Sequence, residues 1–160
     1  MIRELAVTND STLGNLKIRA GDWILVCDGK KALILENVGT AECPNLRVKA
    51  KHEHEDPRTR DLGTDAPGRV FPSFGSARSA VQSTDWHEEA ERSFLRAIVE
   101  EMVLATADGQ LNGLIVVAPP RALGILREVS PPGLYKLVRG EVGHDYTHLP
   151  VHELERRLFP

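Results

Sequence analysis

Leu114-Ile115-Val116-Val117-Ala118 is apolar at every position, so a strand formed there has no face to offer to water. It must lie inside a sheet with helices against both surfaces, and that requirement selects an α/β architecture of three layers. The run is far shorter than the ~20 apolar residues that cross a bilayer, so no membrane span is expected. A chain of 160 residues holds one such domain and is too short for two with separate cores.

Two further apolar runs, Trp23-Ile24-Leu25-Val26-Cys27 and Ala32-Leu33-Ile34-Leu35, flank Asp28-Gly29. That pair predicts a tight hairpin with positive φ at both central residues. After Cys43-Pro44-Asn45 the pattern alternates. Leu46, Val48, Ala50 and His52 share one face and Arg47, Lys49, Lys51 and Glu53 the other, which predicts a strand near the sheet edge. Residues 56–83 read as a long loop rich in proline, glycine and arginine. Thr84 or Asp85 then caps a long helix, with Asp85 and Glu88 matching a capping box. Ala90, Phe94, Ala97, Ile98, Met102 and Ala105 form its inward stripe, while Glu91, Arg92, Arg96 and Glu100 face away.

That helix stops before Asp108-Gly109, and Pro119-Pro120 opens the next, with Leu123, Leu126 and Val129 toward the core. A last strand over about residues 134–142 and a terminal helix after Pro150 complete the order β-β-β-α-β-α-β-α. This is a ribonuclease-H-like succession with a mixed sheet. Residues 1–21 show no periodic core face and read as an arm. The domain division that follows is an extension over 1–16 and one domain over 17–160.

In sheets of this kind ligands meet the crevice beyond the strand carboxyl ends, here Asp28 and the Pro119-Pro120-Arg121 helix start. The free amides and positive end of that helix favour an anion, with Arg121 and Arg127 nearby in sequence. Arg58, Arg60, Arg69 and Arg78 offset Asp56, Asp61 and Asp65, so the long loop suits a specific partner better than nonspecific phosphate coating. A net charge of −3 likewise excludes general DNA binding. A metal-dependent nuclease is the alternative, with Asp28 as first ligand and acids from Glu88 or Glu91 and Glu153. Ala118-Pro119 stands where such a site wants another acid. His52 with His54, and His144 with His148 and His152, read as surface histidines rather than zinc ligands, so no metal is expected. There is no P-loop, G-x-G-x-x-G or G-x-S-x-G, and no cofactor is expected. Two cysteines exclude a disulfide framework, and without an apolar signal core near Met1 the expected compartment is the cytoplasm.

Five ordered motifs then resemble one bacterial family: Trp23-x-x-Val26-x-Asp28-Gly29-x-x-Ala32; Leu62-Gly63-Thr64-Asp65-x-Pro67-Gly68-Arg69; Thr84-Asp85-Trp86-His87-x-Glu89; Ala118-Pro119-Pro120-Arg121-x-Leu123-Gly124-x-Leu126-Arg127; and Asp145-x-Thr147-x-x-Pro150. The chain is similar to the "protein required for attachment to host cells" family, bacterial relatives of the archaeo-eukaryotic release factors. The likeness spans about 17–159, with His144 and Tyr146 departing from the family pattern around Asp145. It implies a domain like the middle domain of those factors. Release factors carry Gly-Gly-Gln before the long helix, and Phe74-Gly75-Ser76-Ala77-Arg78 to Gln82-Ser83 has no such triplet. Asp108-Gly109-Gln110 comes after the helix, so peptidyl-tRNA hydrolysis is not expected. The resemblance implies a non-catalytic binding module that meets ribosome, RNA or a protein partner and affects host attachment indirectly. Its candidate contacts are Asp28, Asp65, Arg69, Arg78, Asp85, Trp86, His87, Pro119, Pro120, Arg121, Arg127 and Asp145.

Overall fold

The computed structural model describes residues 7–8, 16–55 and 76–160, with backbone alone at 7–8 and 76–83. The strands are β1 (Val7–Thr8), β2 (Trp23–Cys27), β3 (Lys31–Asn37), β4 (Leu46–Glu53), β5 (Leu114–Val117) and β6 (Val138–Val142). The helices are α1 (Ser76–Ala107), α2 (Pro120–Val129), α3 (Pro132–Tyr135) and α4 (Val151–Leu158). They build one mixed sheet in the order β1-β6-β5-β2-β3-β4. β1, β6, β5 and β2 run parallel, while β3 is antiparallel to both β2 and β4.

β5 is buried along its whole length between β2 and β6, as its composition requires. Leu114, Val116 and Ala118 turn to one core with Leu95, Ile98 and Met102 of α1 and Leu123 and Leu126 of α2. Ile115 and Val117 turn to a second core with Leu154 and Leu158 of α4. β2 divides in the same way, with Trp23, Leu25 and Cys27 on the first side and Ile24 and Val26 on the second. Helices therefore cover both surfaces of the sheet. Parallel pairing obliges the chain to leave each strand at one edge and return through a crossover, which aligns the carboxyl ends of β2, β5 and β6.

Several local expectations change. α1 begins at Ser76 rather than at Thr84 or Asp85. Residues 76–83 contain neither glycine nor proline and include alanine, arginine and glutamine, all good helix formers, so nothing in them stops the helix. Asp85 and Glu88 are thus helix-interior residues with no capping box, and Arg78 lies on helix rather than in a loop. On the inward stripe Leu95 and Val99 are buried where Ala97 is exposed. β6 starts at Val138, because Pro131-Pro132 opens the short α3 where a strand was expected.

The alternating strand is an edge strand, but its face is split. The β3–β4 register shifts between Ile34 and Leu35, which pair with Ala50 and Val48. Leu46 consequently joins the second core while Ala50 packs against the first. Residues 16–21 are no arm either: Ile18 is buried in the second core and Leu16 packs against it, two contacts too few to show a period.

One buried polar residue organises this corner. The Asn37 amide donates to the carbonyls of Arg19 (3.1 Å) and Thr40 (3.2 Å). Its oxygen accepts from the amides of Gly39 (3.0 Å) and Asn45 (2.9 Å). Replacing it would leave two amide donors and two carbonyl acceptors without their partner. Asn37→Ala is expected to lower stability by about 3 kcal/mol, read as a fall in the urea midpoint at constant slope.

Candidate functional site

Asp28 follows β2 at the sheet edge where the parallel strands end. Its Oδ1 accepts from the amides of Lys30 and Lys31, each at 2.7 Å, and its own amide donates to the Lys31 carbonyl at 3.0 Å. The carboxylate thus closes the turn itself. Among the described residues only Gly21 and Gly109 have positive φ, so the expected primed turn at Asp28-Gly29 is not formed. The conformation that a primed turn would demand of glycine is supplied instead by a side-chain acceptor.

Gly29 is needed for a different reason. A Cβ added there would stand 2.6 to 2.8 Å from the Glu91 side chain of α1. Glu91, expected to face away, is in fact turned inward against the hairpin. Arg121 Nε reaches its Oε2 at 3.0 Å, and the other arm of the same guanidinium meets Glu88 Oε1 at 3.2 Å. These hydrogen bonds, Glu88 first, hold the guanidinium above its usual pKa. The helix start at Pro119 and Pro120 has the predicted form, with proline at the first turn and no side-chain cap. Arg121 is nevertheless committed to two glutamates rather than to an open anion site.

On the other side of Asp28, Thr147 Oγ1 lies 3.3 Å from its Oδ2 and 2.6 Å from Asp145 Oδ1. The Thr147 amide also donates to Asp145 Oδ1 at 3.0 Å. One hydroxyl has one proton, and the shorter contact takes it. Asp28 and Asp145, far apart in sequence, are in this way brought to one place. Between them and the interior sits Cys27. Burial first, then Asp28 and Asp145, push its thiol far above the ordinary range.

Asp28, Gly29, Lys30, His54, His87, Ala90 and Glu91 line a cleft of about 410 Å³ at this edge. His54 arrives because β4 ends at the same edge, its amide donating to the Lys30 carbonyl at 2.7 Å. Glu91 was expected only as an acid of the nuclease alternative, and Lys30 and His54 were not expected at this site. The signal for His54 was antiparallel pairing: two strands flanking β3 must end on the same side.

Other candidates lie elsewhere. Arg127 makes a bidentate pair with Glu141, a carboxylate buried to 2 % exposure in β6, and this holds the guanidinium above its usual pKa. Asp85 and Trp86 lie in the exposed stretch 84–89 of α1, beside His87 of the cleft. Asp65 and Arg69 lie outside the described residues. His52 approaches Glu101 at 2.8 Å without hydrogen-bond alignment, His54 faces Phe94, and His144 stacks on Tyr146. Among the described residues no group of three or more His, Cys, Asp or Glu stands close enough to hold a metal ion. Glu153 sits in α4, in the layer across the sheet from Glu88 and Glu91. No described helix is long and apolar enough to cross a membrane.

These features define an α/β protein with a mixed sheet, helices on both faces and a polar cleft at the strand carboxyl ends. The chain belongs to the family described as "Protein required for attachment to host cells", whose model matches residues 23–158. It is similar to the uncharacterized protein RP470 of Rickettsia prowazekii (strain Madrid E), at 27% identity, across 85% of this chain and 91% of that protein. Among solved structures it is similar to the archaeal translation termination factor aRF1, at 16% identity and a TM-score of 0.43. That likeness covers 75% of this chain, which spans only 29% of the factor's length.

Two measurements check this geometry. Gly29→Ala should destabilise the fold by about 1–3 kcal/mol through overpacking, and Glu91→Ala in the same chain should restore part of the loss. Additive losses in the double variant would disprove the contact. With a thiol reagent, the exposed Cys43 should react in the native protein and Cys27 only after unfolding.

Proposed function

We propose that this protein is a non-catalytic binding module whose partner is a protein, met on the exposed residues 84–89 of α1. The observation that carries this reading is Trp86, an aromatic that is 77% exposed on α1. Large exposed aromatics are uncommon on free surfaces and common as interface anchors. Around it stand Asp85, Glu88 and Glu89, all exposed. Such a rim repels the phosphates of RNA and suits a protein pocket edged with basic side chains.

The release-factor part of the proposal rests on the five sequence motifs, and the ribonuclease-H-like part on the strand succession. We likewise propose a cytoplasmic protein, divided at residue 16, that acts on host attachment indirectly through its partner. A ribosome or RNA partner is the competing reading, and the arginines at 58, 60 and 69 are its support. The absence of Gly-Gly-Gln ahead of α1 leaves peptidyl-tRNA hydrolysis without its chemistry. The nuclease alternative has no support from the placement of Glu88 and Glu91, which face Arg121.

Affinity capture from bacterial lysate, with and without ribonuclease, tests the reading, followed by titration of the purified partner. The expected result is retention that survives ribonuclease and weakens with rising salt. Trp86→Ala should cost about 2 kcal/mol of binding, and Asp85→Lys with Glu89→Lys should also weaken it. Ribonuclease-sensitive retention, or ribosome co-sedimentation indifferent to Trp86→Ala, would overturn it.

A further inference from the structure

The cleft between the β2–β3 turn and α1 has a chemistry separate from the Trp86 face and goes beyond the reading above. We propose that it binds a phosphorylated ribose, the group shared by a free nucleotide and a nucleotide of an RNA chain. Its volume of about 410 Å³ lies within the roughly 300–1,000 Å³ of small-molecule sites. Lys30 supplies an ammonium, and His54 and His87 supply imidazole donors suited to phosphate oxygens. Lys30 and His87 also take part in interactions within the chain, and the phosphate joins them as an acceptor.

The two acids of the cleft would repel a bare phosphate, yet both are engaged by the protein. Asp28 receives two backbone amides at 2.7 Å and faces Thr147, and Glu91 receives Arg121 Nε at 3.0 Å. An ionised carboxylate offers about four lone-pair sites, so each keeps acceptor capacity after these contacts. Neighbouring ribose hydroxyls are donors of the kind that carboxylates accept in nucleotide sites. Ala90 adds little side-chain bulk to the lining. A phosphate alone leaves the acids unused, and an uncharged sugar leaves Lys30 and the imidazoles unused. The phosphorylated ribose uses both sets.

Isothermal titration of the full chain with adenosine monophosphate, ribose phosphate, adenosine, inorganic phosphate and a short single-stranded RNA tests the assignment. Adenosine monophosphate and ribose phosphate should bind more tightly than adenosine or inorganic phosphate, with amide shifts at Gly29 and Ala90. Lys30→Gln and His54→Gln, both at exposed positions, should each weaken binding about tenfold without changing the melting curve. Tighter binding of the RNA makes it the source of the ribose phosphate, and binding of the monophosphates alone makes the source a free nucleotide. No binding at millimolar concentration, equal binding of inorganic phosphate, or indifference to both variants would overturn the proposal. Trp86→Ala should leave this titration unchanged, so failure here is distinguishable from failure of the protein-partner reading.

Discussion

The structure depends on two adjacent parallel strands, β2 and β5, that have no face for water. Ile24, Val26, Ile115 and Val117 are fully buried on one surface, and Leu25, Cys27, Leu114 and Val116 are buried on the other. Burying such side chains yields about 1.5–3 kcal/mol each, a gain that requires helices on both surfaces. α1 and α2 meet the first requirement and α4 the second. The crossovers needed to place them align the ends of β2, β5 and β6, so the position of Asp28 beside the loop bearing Asp145 follows from the core. The polar edge is a consequence of the apolar centre.

Among the described residues, the two buried charged side chains, Asp22 and Glu141, each have a partner. Glu141 pairs with Arg127, which reaches it from α2. Asp22, also buried, accepts from the Arg19 amide and pairs with Arg139 Nε at 3.0 Å, beneath a glycine at 113 that leaves space for both groups. Removing one member of such a pair leaves an uncompensated charge, so these contacts discriminate against other strand registers more than they add net stability. β6 therefore sits beside β5 with its polar residues answered from α2 and from the segment before β2.

How much of this was legible in the sequence follows from the range of each signal. Period and composition report burial, so β2, β5, the edge character of β4 and the proline-led starts of α2 and α4 were all readable. Residues that act through a distant neighbour were not. Gly29 looks like a turn former, and only the presence of α1 reveals that it makes room for Glu91. The shift between Ile34 and Leu35 leaves no trace in the alternation of Leu46, Val48, Ala50 and His52. The start of α1 was misplaced because Asp85 carries a strong capping signal, and the proline and glycine ahead of Ser76 lengthened the apparent loop. At the site, Asp28 was legible from strand ends, whereas His54 required the strand order and the inward turn of Glu91 the packing of α1.

Arg121 shows how pairing changes the meaning of a motif. Proline at the start of α2, followed by arginine, describes an end poised for an anion. In the folded protein the guanidinium spans Glu88 and Glu91, residues spaced by three and so on one side of α1. An exposed ion pair contributes little to stability alone, but a bridge across two carboxylates fixes direction. Here it fixes Glu91 against Gly29 and thereby sets the distance between α1 and the Asp28 turn. That distance is the width of the cleft. A residue that the sequence offers as a ligand-binding group is thus held between two carboxylates of α1 in the folded protein.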